Sequence, residues 1–141
     1  MTTPAQHHDQ HDPSPRIAGL APRWALLCLL ADVICVLLFA LGGHQSHEAA
    51  SSQVVTMRIA WPFLVGALVG WAVLVRQGWP ARAIWPAGAA VLAATYLLGL
   101  VLRLISGRGV SGGFPLVTII FLAITMLGWR AFVTAKLRYR R

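Results

Sequence analysis

Residues 24–41 read Trp24-Ala-Leu-Leu-Cys28-Leu-Leu-Ala-Asp32-Val-Ile-Cys35-Val-Leu-Leu-Phe39-Ala-Leu41, an unbroken apolar run with one acid near its middle. As a helix rising 1.5 Å per residue it would measure about 27 Å, close to the roughly 30 Å of a bilayer core. Lipid offers backbone groups no hydrogen-bond partner, so such a run crosses as a helix or as part of a closed barrel. The run has no alternation of period two, which leaves the helix.

Three further apolar stretches follow, at Ile59–Val75, Ala83–Leu102 and Phe114–Trp129. The sequence therefore predicts an all-α, polytopic membrane protein, a bundle of four transmembrane helices over residues 23–135. Residues 1–22 form a polar, Pro-rich N-terminal tail expected to be disordered, and 136–141 form a basic C-terminal tail. The chain has 141 residues, of which 57% are hydrophobic and 11% charged. Soluble domains carry about 25% charged residues.

A formal net charge of +8 in a soluble protein would suggest nucleic acid. Here the cations lie between and beyond the spans, where they set orientation, and no nucleic-acid partner is expected. Nine of them (Arg16, Arg23, Arg76, Arg82, Arg130, Lys136, Arg138, Arg140 and Arg141) fall on the side of the termini, against Arg58, Arg103 and Arg108 on the other. The positive-inside rule then predicts both termini in the cytoplasm of a bacterial cell membrane. An acid in mid-span and three further spans argue against reading the first span as a cleaved signal.

Asp32 is the residue most open to a chemical role. An ionised carboxylate near mid-bilayer costs about 2.5–3.5 kcal/mol on insertion scales, so it should face the bundle interior and find a partner. Arg58 and Arg103 are the expected partners: with the second helix starting near Val54 and the third running to Ile105, both sit slightly inside the outer boundary, although their Cα atoms would stand about 8–12 Å above Asp32 by helical rise. Two roles fit Asp32, helix pairing and a proton or ligand site. Cys28, Asp32 and Cys35 share one helix face. The cysteines are too far apart along the helix to bridge or to ligate one ion together. No metal site is expected there, and no cofactor is implied anywhere.

Other motifs read more simply. His7, His8, Asp9, His11 and Asp12 could bind a transition metal, but in an unstructured tail imply no geometry. His44, His47 and Glu48 lie in the outer loop without the order that metalloprotease chemistry needs. Arg58-Ile-Ala-Trp61-Pro62 is echoed by Arg82-Ala-Ile-Trp85-Pro86, an order that suits a helix start at the headgroup layer, with proline in the first turn. Gly66 and Gly70 form G-x-x-x-G, and the third span is rich in alanine, so close helix packing is expected, within one chain or in a homo-oligomer. Ser111, Thr118 and Thr125 recur every seven residues and could bond across helices or back to their own turn.

The order of these motifs resembles a known family. An Asp in the first span is followed by Gly43-His44-Gln45-Ser46-His47, by Arg58–Leu64 with Gly70-Trp71, and by Leu102–Gly109 as L-R-x-x-S-G-x-G. Together they are similar to the bacterial membrane proteins grouped as "domain of unknown function 3054", whose members commonly carry arginine where this chain has His44. The resemblance implies the four-helix topology and draws attention to Asp32, Ser46, His47, Arg58, Trp61, Pro62, Arg103, Ser106 and Gly107. It implies no activity.

With no nucleophile–base pair, metal set or phosphate loop in sight, an enzyme is not expected. Two roles are. One is a small carrier or channel using Asp32, Arg58 and Arg103, with Ser46, His47, Ser106 and Gly107 as an outer-loop site. The other is an accessory subunit that binds a second membrane protein through small-residue helix faces. The bilayer is the partner common to both.

Overall fold

The computed structural model describes residues 22–44, 52–110 and 112–139. They form α1 (Pro22–His44), α2 (Ser52–Gln77), α3 (Ala89–Ile105), α4 (Phe114–Leu122) and α5 (Gly128–Tyr139), with no strand among the described residues. A wide π-type turn, Ala123–Leu127, joins α4 to α5, so residues 114–139 are one rod. A second wide turn, Ile84–Gly88, leads into α3. The four resulting rods, Arg23–Gly43, Gln53–Gln77, Ile84–Ile105 and Phe114–Tyr139, are each long and apolar enough to cross a membrane. The all-α, four-span architecture is the one the sequence predicts.

The polarity of the bundle is inverted relative to a soluble protein. On α1 the exposed face is Leu26, Leu27, Leu30, Ile34, Leu38 and Leu41, while Asp32, Thr95, Thr118 and Arg130 are fully buried. Apolar side chains face outward because hydrocarbon surrounds them, and polar ones turn inward because only there can they find partners.

Consecutive rods pack side by side, and α4 closes the ring against α1. Trp24, Arg82 and Lys136 line one hollow, which puts the start of α1, the α2–α3 turn and the end of α5 at one end of the bundle, here called the terminal end. Phe39, Gly43, Ile59, Arg103 and Phe114 meet at the opposite, distal end.

The closest approach is between α2 and α3, and G-x-x-x-G makes it. A Cβ added at Gly66 would lie 2.8 Å from the Ala94 carbonyl oxygen, and one at Gly70 would lie 2.9 Å from the Val91 Cα. Only glycine lets the two backbones come this near, and the gain is dispersion over the whole seam. The expected packing role of Gly66 and Gly70 is therefore met within the chain.

Both ends of this hairpin are stopped the same way. Gly78 and Gly107 adopt φ of 65° and 69°, in the left-handed region. Behind them Trp79 N donates to Leu74 O and Arg108 N to Arg103 O, at 3.2 and 3.1 Å. These six-to-one bonds, with Gly78 N to Val75 O and Gly107 N to Leu104 O, satisfy carbonyls the helices would leave unpaired.

Two boundaries differ from the sequence reading. The fourth rod does not end at Trp129 but runs to Tyr139, so Arg130 lies within α5, and Lys136 and Arg138 belong to it rather than to a separate tail. Trp85 is extended and the regular helix begins after it, as its motif predicts, whereas Pro62 lies inside α2. A proline there leaves the carbonyl four residues earlier without its helical donor. That carbonyl belongs to Arg58, and Arg108 Nη1 reaches it at 3.4 Å. Residues 1–21, Ser46, His47, Glu48, the His44 side chain and Ser111, for which the sequence raises expectations, lie outside the described residues.

Candidate functional site

Asp32 sits in the middle of α1 with no exposed surface. Both of its oxygens are doubly engaged. Oδ1 accepts from Arg130 Nη1 at 2.7 Å and from Trp129 Nε1 at 3.0 Å. Oδ2 accepts from Arg130 Nη2 at 2.7 Å and from Trp71 Nε1 at 2.9 Å. The guanidinium thus grips the carboxylate with two parallel bonds, the strong form of an ion pair. Two of its three remaining donors are held too: Nε gives to Ala81 O at 3.2 Å, and Nη1 gives also to Met126 O at 2.9 Å. The Arg130 Cζ lies 4.4 Å from the Trp129 ring centroid.

This correction matters most, because Arg58 and Arg103 were the expected partners of Asp32. The partner is Arg130, reached from the terminal end. A buried ion costs several kcal/mol unless its pairing and hydrogen bonding are nearly complete, and here they are. One clamp consequently ties α1, α2, the α2–α3 turn and α5.

The wide turn explains how Arg130 comes to point inward. Thr118, Leu122, Met126 and Arg130 are all fully buried, at a spacing of four. Twelve steps of a regular helix would carry Arg130 about 120° past the direction of Thr118, facing lipid. The π-type turn at Ala123–Leu127 takes up one extra residue, or about 100°, and keeps the line facing the core. Gly88 completes the seat, since a Cβ there would lie 2.9 Å from the Arg130 Cδ. Sequence reasoning missed Trp71, Gly88, Trp129 and Arg130 as members of the site. The signal was present in the four-residue spacing, but Arg130 follows the apolar run and was counted among the cations that set orientation.

The other expected residues lie elsewhere. Arg58 is exposed. Ser106 Oγ donates to Leu102 O at 2.6 Å, and with Gly107 it belongs to the stop at the end of α3. Thr118 and Thr125 also bond back to their own helix, at 2.7 and 2.8 Å. Cys28 and Cys35 are buried on the Asp32 face. Among the described residues no three His, Cys, Asp or Glu side chains are grouped to hold a metal ion.

Arg103 occupies a second polar position. On the distal side it lines a hollow of about 460 Å³ with Phe39, Gly42, Gly43, Ile59 and Phe114 among its walls. Its Cζ lies 4.2 Å from the Phe114 ring centroid. Its Nε and Nη1 are enclosed and meet no acceptor among the described residues. The floor is aromatic: Phe39 stands 5.2 Å from Phe63, 5.9 Å from Phe114 and 5.8 Å from Phe121, ring centre to ring centre. Asp32 lies about 10 Å further down α1 than Phe39 by helical rise, with buried Val36 between them. The two polar positions are separated by an apolar plug and do not form one site.

Neither the curated proteins nor the solved structures contain a match to this chain. A family model does match, over residues 29–133, and that range includes Asp32, Trp71, Gly88, Arg103, Trp129 and Arg130. The chain belongs to the family described as "Protein of unknown function (DUF3054)".

Proposed function

We propose that this is a non-enzymatic protein of the bacterial cell membrane, with cytoplasmic termini, that binds small amphipathic anions at its distal, outward-facing end as the loading step of a carrier. The observation that carries the reading is the hollow beside Arg103. An enclosed N–H without an acceptor costs about 1–3 kcal/mol, and among the described residues Arg103 has two. A carboxylate or phosphate oxygen would satisfy them while an apolar tail lay against Phe39, Ile59 and Phe114. Its volume falls within the roughly 300–1,000 Å³ of small-molecule pockets. The three-residue polar site expected from the sequence thereby narrows to Arg103, with the Asp32 clamp as its rigid support.

An accessory role through small-residue faces, or a homo-oligomer built on them, finds less support. Gly66 and Gly70 are already covered by α3. Orientation rests on the cation surplus at the terminal end, which persists once the buried Arg130 is left out.

Decanoate binding to the purified protein tests this reading. Saturable binding is expected, weakened at least about tenfold in Arg103→Gln and unchanged in Arg58→Gln, since a charge-assisted hydrogen bond is worth about 1.5–3 kcal/mol. Equal affinity in wild type and Arg103→Gln would remove the proposal. Glu48 follows Gly43 by five positions, so Glu48→Gln is measured alongside. Unchanged binding there keeps that carboxylate out of the site.

A further inference from the structure

The terminal end carries a second kind of binding surface. A groove of about 490 Å³ is lined by Pro80, Arg82, Ala83, Thr134, Leu137 and Arg138. A neighbouring hollow of about 260 Å³ shares Arg82 and Leu137 with it and adds Trp24, Val133 and Lys136. Arg82 lines both, with Arg138 on the groove side and Lys136 on the side of the neighbouring hollow, both from the last turn of α5. Asp32 is the sole acid among the described residues, and Arg130 occupies it completely. Arg82 and Arg138 of the groove, and Lys136 of the adjoining hollow, therefore face no carboxylate among the described residues. Between them Pro80, Ala83, Val133 and Leu137 form apolar walls, and Thr134 turns its hydroxyl to the Arg130 carbonyl at 2.8 Å.

Depth selects the ligand. Arg82 precedes the third rod by two residues, Lys136 lies within the last turn of the fourth, and Trp24 is the second residue of the first. All three thus lie where the spans end, at the level of lipid phosphates, where cations and tryptophan are favoured. An acidic phospholipid would place its phosphate beside Arg82 and run its chains down Val133 and Leu137. A freely soluble anion would gain the charges but leave the apolar walls unused.

We infer that this groove is a binding site for the headgroup of an acidic phospholipid, independent of the distal hollow. The test uses the full-length protein in a neutral detergent. It is titrated with dioctanoyl phosphatidylglycerol, with dioctanoyl phosphatidylcholine and with inorganic phosphate, and followed by calorimetry and thermal unfolding. The expected result is saturable binding of phosphatidylglycerol with a raised melting temperature, and neither effect from the other two. Arg82 and Lys136 are exposed, so Arg82→Gln and Lys136→Gln should leave the lipid-free melting temperature unchanged. Each should weaken phosphatidylglycerol about fivefold, and the pair about thirtyfold. Equal binding of the two lipids, or full affinity in the double variant, would overturn the inference. So would inorganic phosphate binding as tightly as the lipid, which would make the groove a free-anion site. Binding that appears only after residues 1–20 are deleted would assign the groove to the chain's own Asp9 and Asp12 and overturn it as well.

Discussion

Asp32→Asn is expected to destabilise the bundle by about 3–5 kcal/mol, the usual cost of stranding one member of a buried ion pair. The substitution keeps the shape and an acceptor oxygen, so the loss is electrostatic. Arg130 would keep its bonds to Ala81 and Met126 but lose the charge that offsets its desolvation. Two indole donors, from Trp71 and Trp129, would also compete for one good acceptor. Thermal unfolding in detergent reads the effect directly. A melting temperature within a degree or two of wild type would show that the clamp is dispensable. Under a proton-carrier reading of Asp32 the same variant would fold normally and lose only transport, so stability separates the two roles.

Gly66→Val should be the next most damaging change. The new Cβ would lie 2.8 Å from a carbonyl oxygen and 2.9 Å from the Thr95 Cα, and neither backbone atom can rotate away. Overpacking of this kind costs about 1–3 kcal/mol, and the two added methyls push towards the upper end. Gly128→Ala provides the contrast, because a Cβ at that position meets nothing within 4 Å. Its stability should stay level or rise slightly, since alanine favours a helix by about 1 kcal/mol over glycine. Equal losses from the two variants would mean that the α2–α3 seam is not specially close.

The spans were legible because apolar length alone distinguishes a membrane helix from a soluble one. Asp32 was legible because a charge inside hydrocarbon must be accounted for. Its partner was not. Reach along the helix axis favoured Arg58 and Arg103, which lie near a span boundary, whereas Arg130 directly follows Trp129, where the apolar stretch ends. Three structural facts reversed that ranking: α5 extends to Tyr139, the wide turn resets the register, and Gly88 leaves room for the side chain. A π-type turn has no strong composition signature, so the rotation that it produces is hard to anticipate. The Trp-Pro echo was misleading for the opposite reason. Identical local chemistry sits before the first regular turn at Trp85-Pro86 and deep inside a helix at Trp61-Pro62, because α2 begins ten residues earlier at Ser52. Ser106 and Gly107, singled out by family resemblance, terminate a helix. Arg103 lines the distal hollow with enclosed nitrogens, whereas the sequence joined it to Asp32 across what is an aromatic floor.

A double-mutant cycle over Asp32→Asn and Arg130→Gln measures the clamp itself. If the two side chains hold one another, each single variant should be strongly destabilised, and the double variant should be far more stable than the sum of the two losses implies. The expected coupling is well above the roughly 0.5 kcal/mol seen between independent sites. Strictly additive losses would contradict the pairing of Asp32 with Arg130 on which this description of the protein rests.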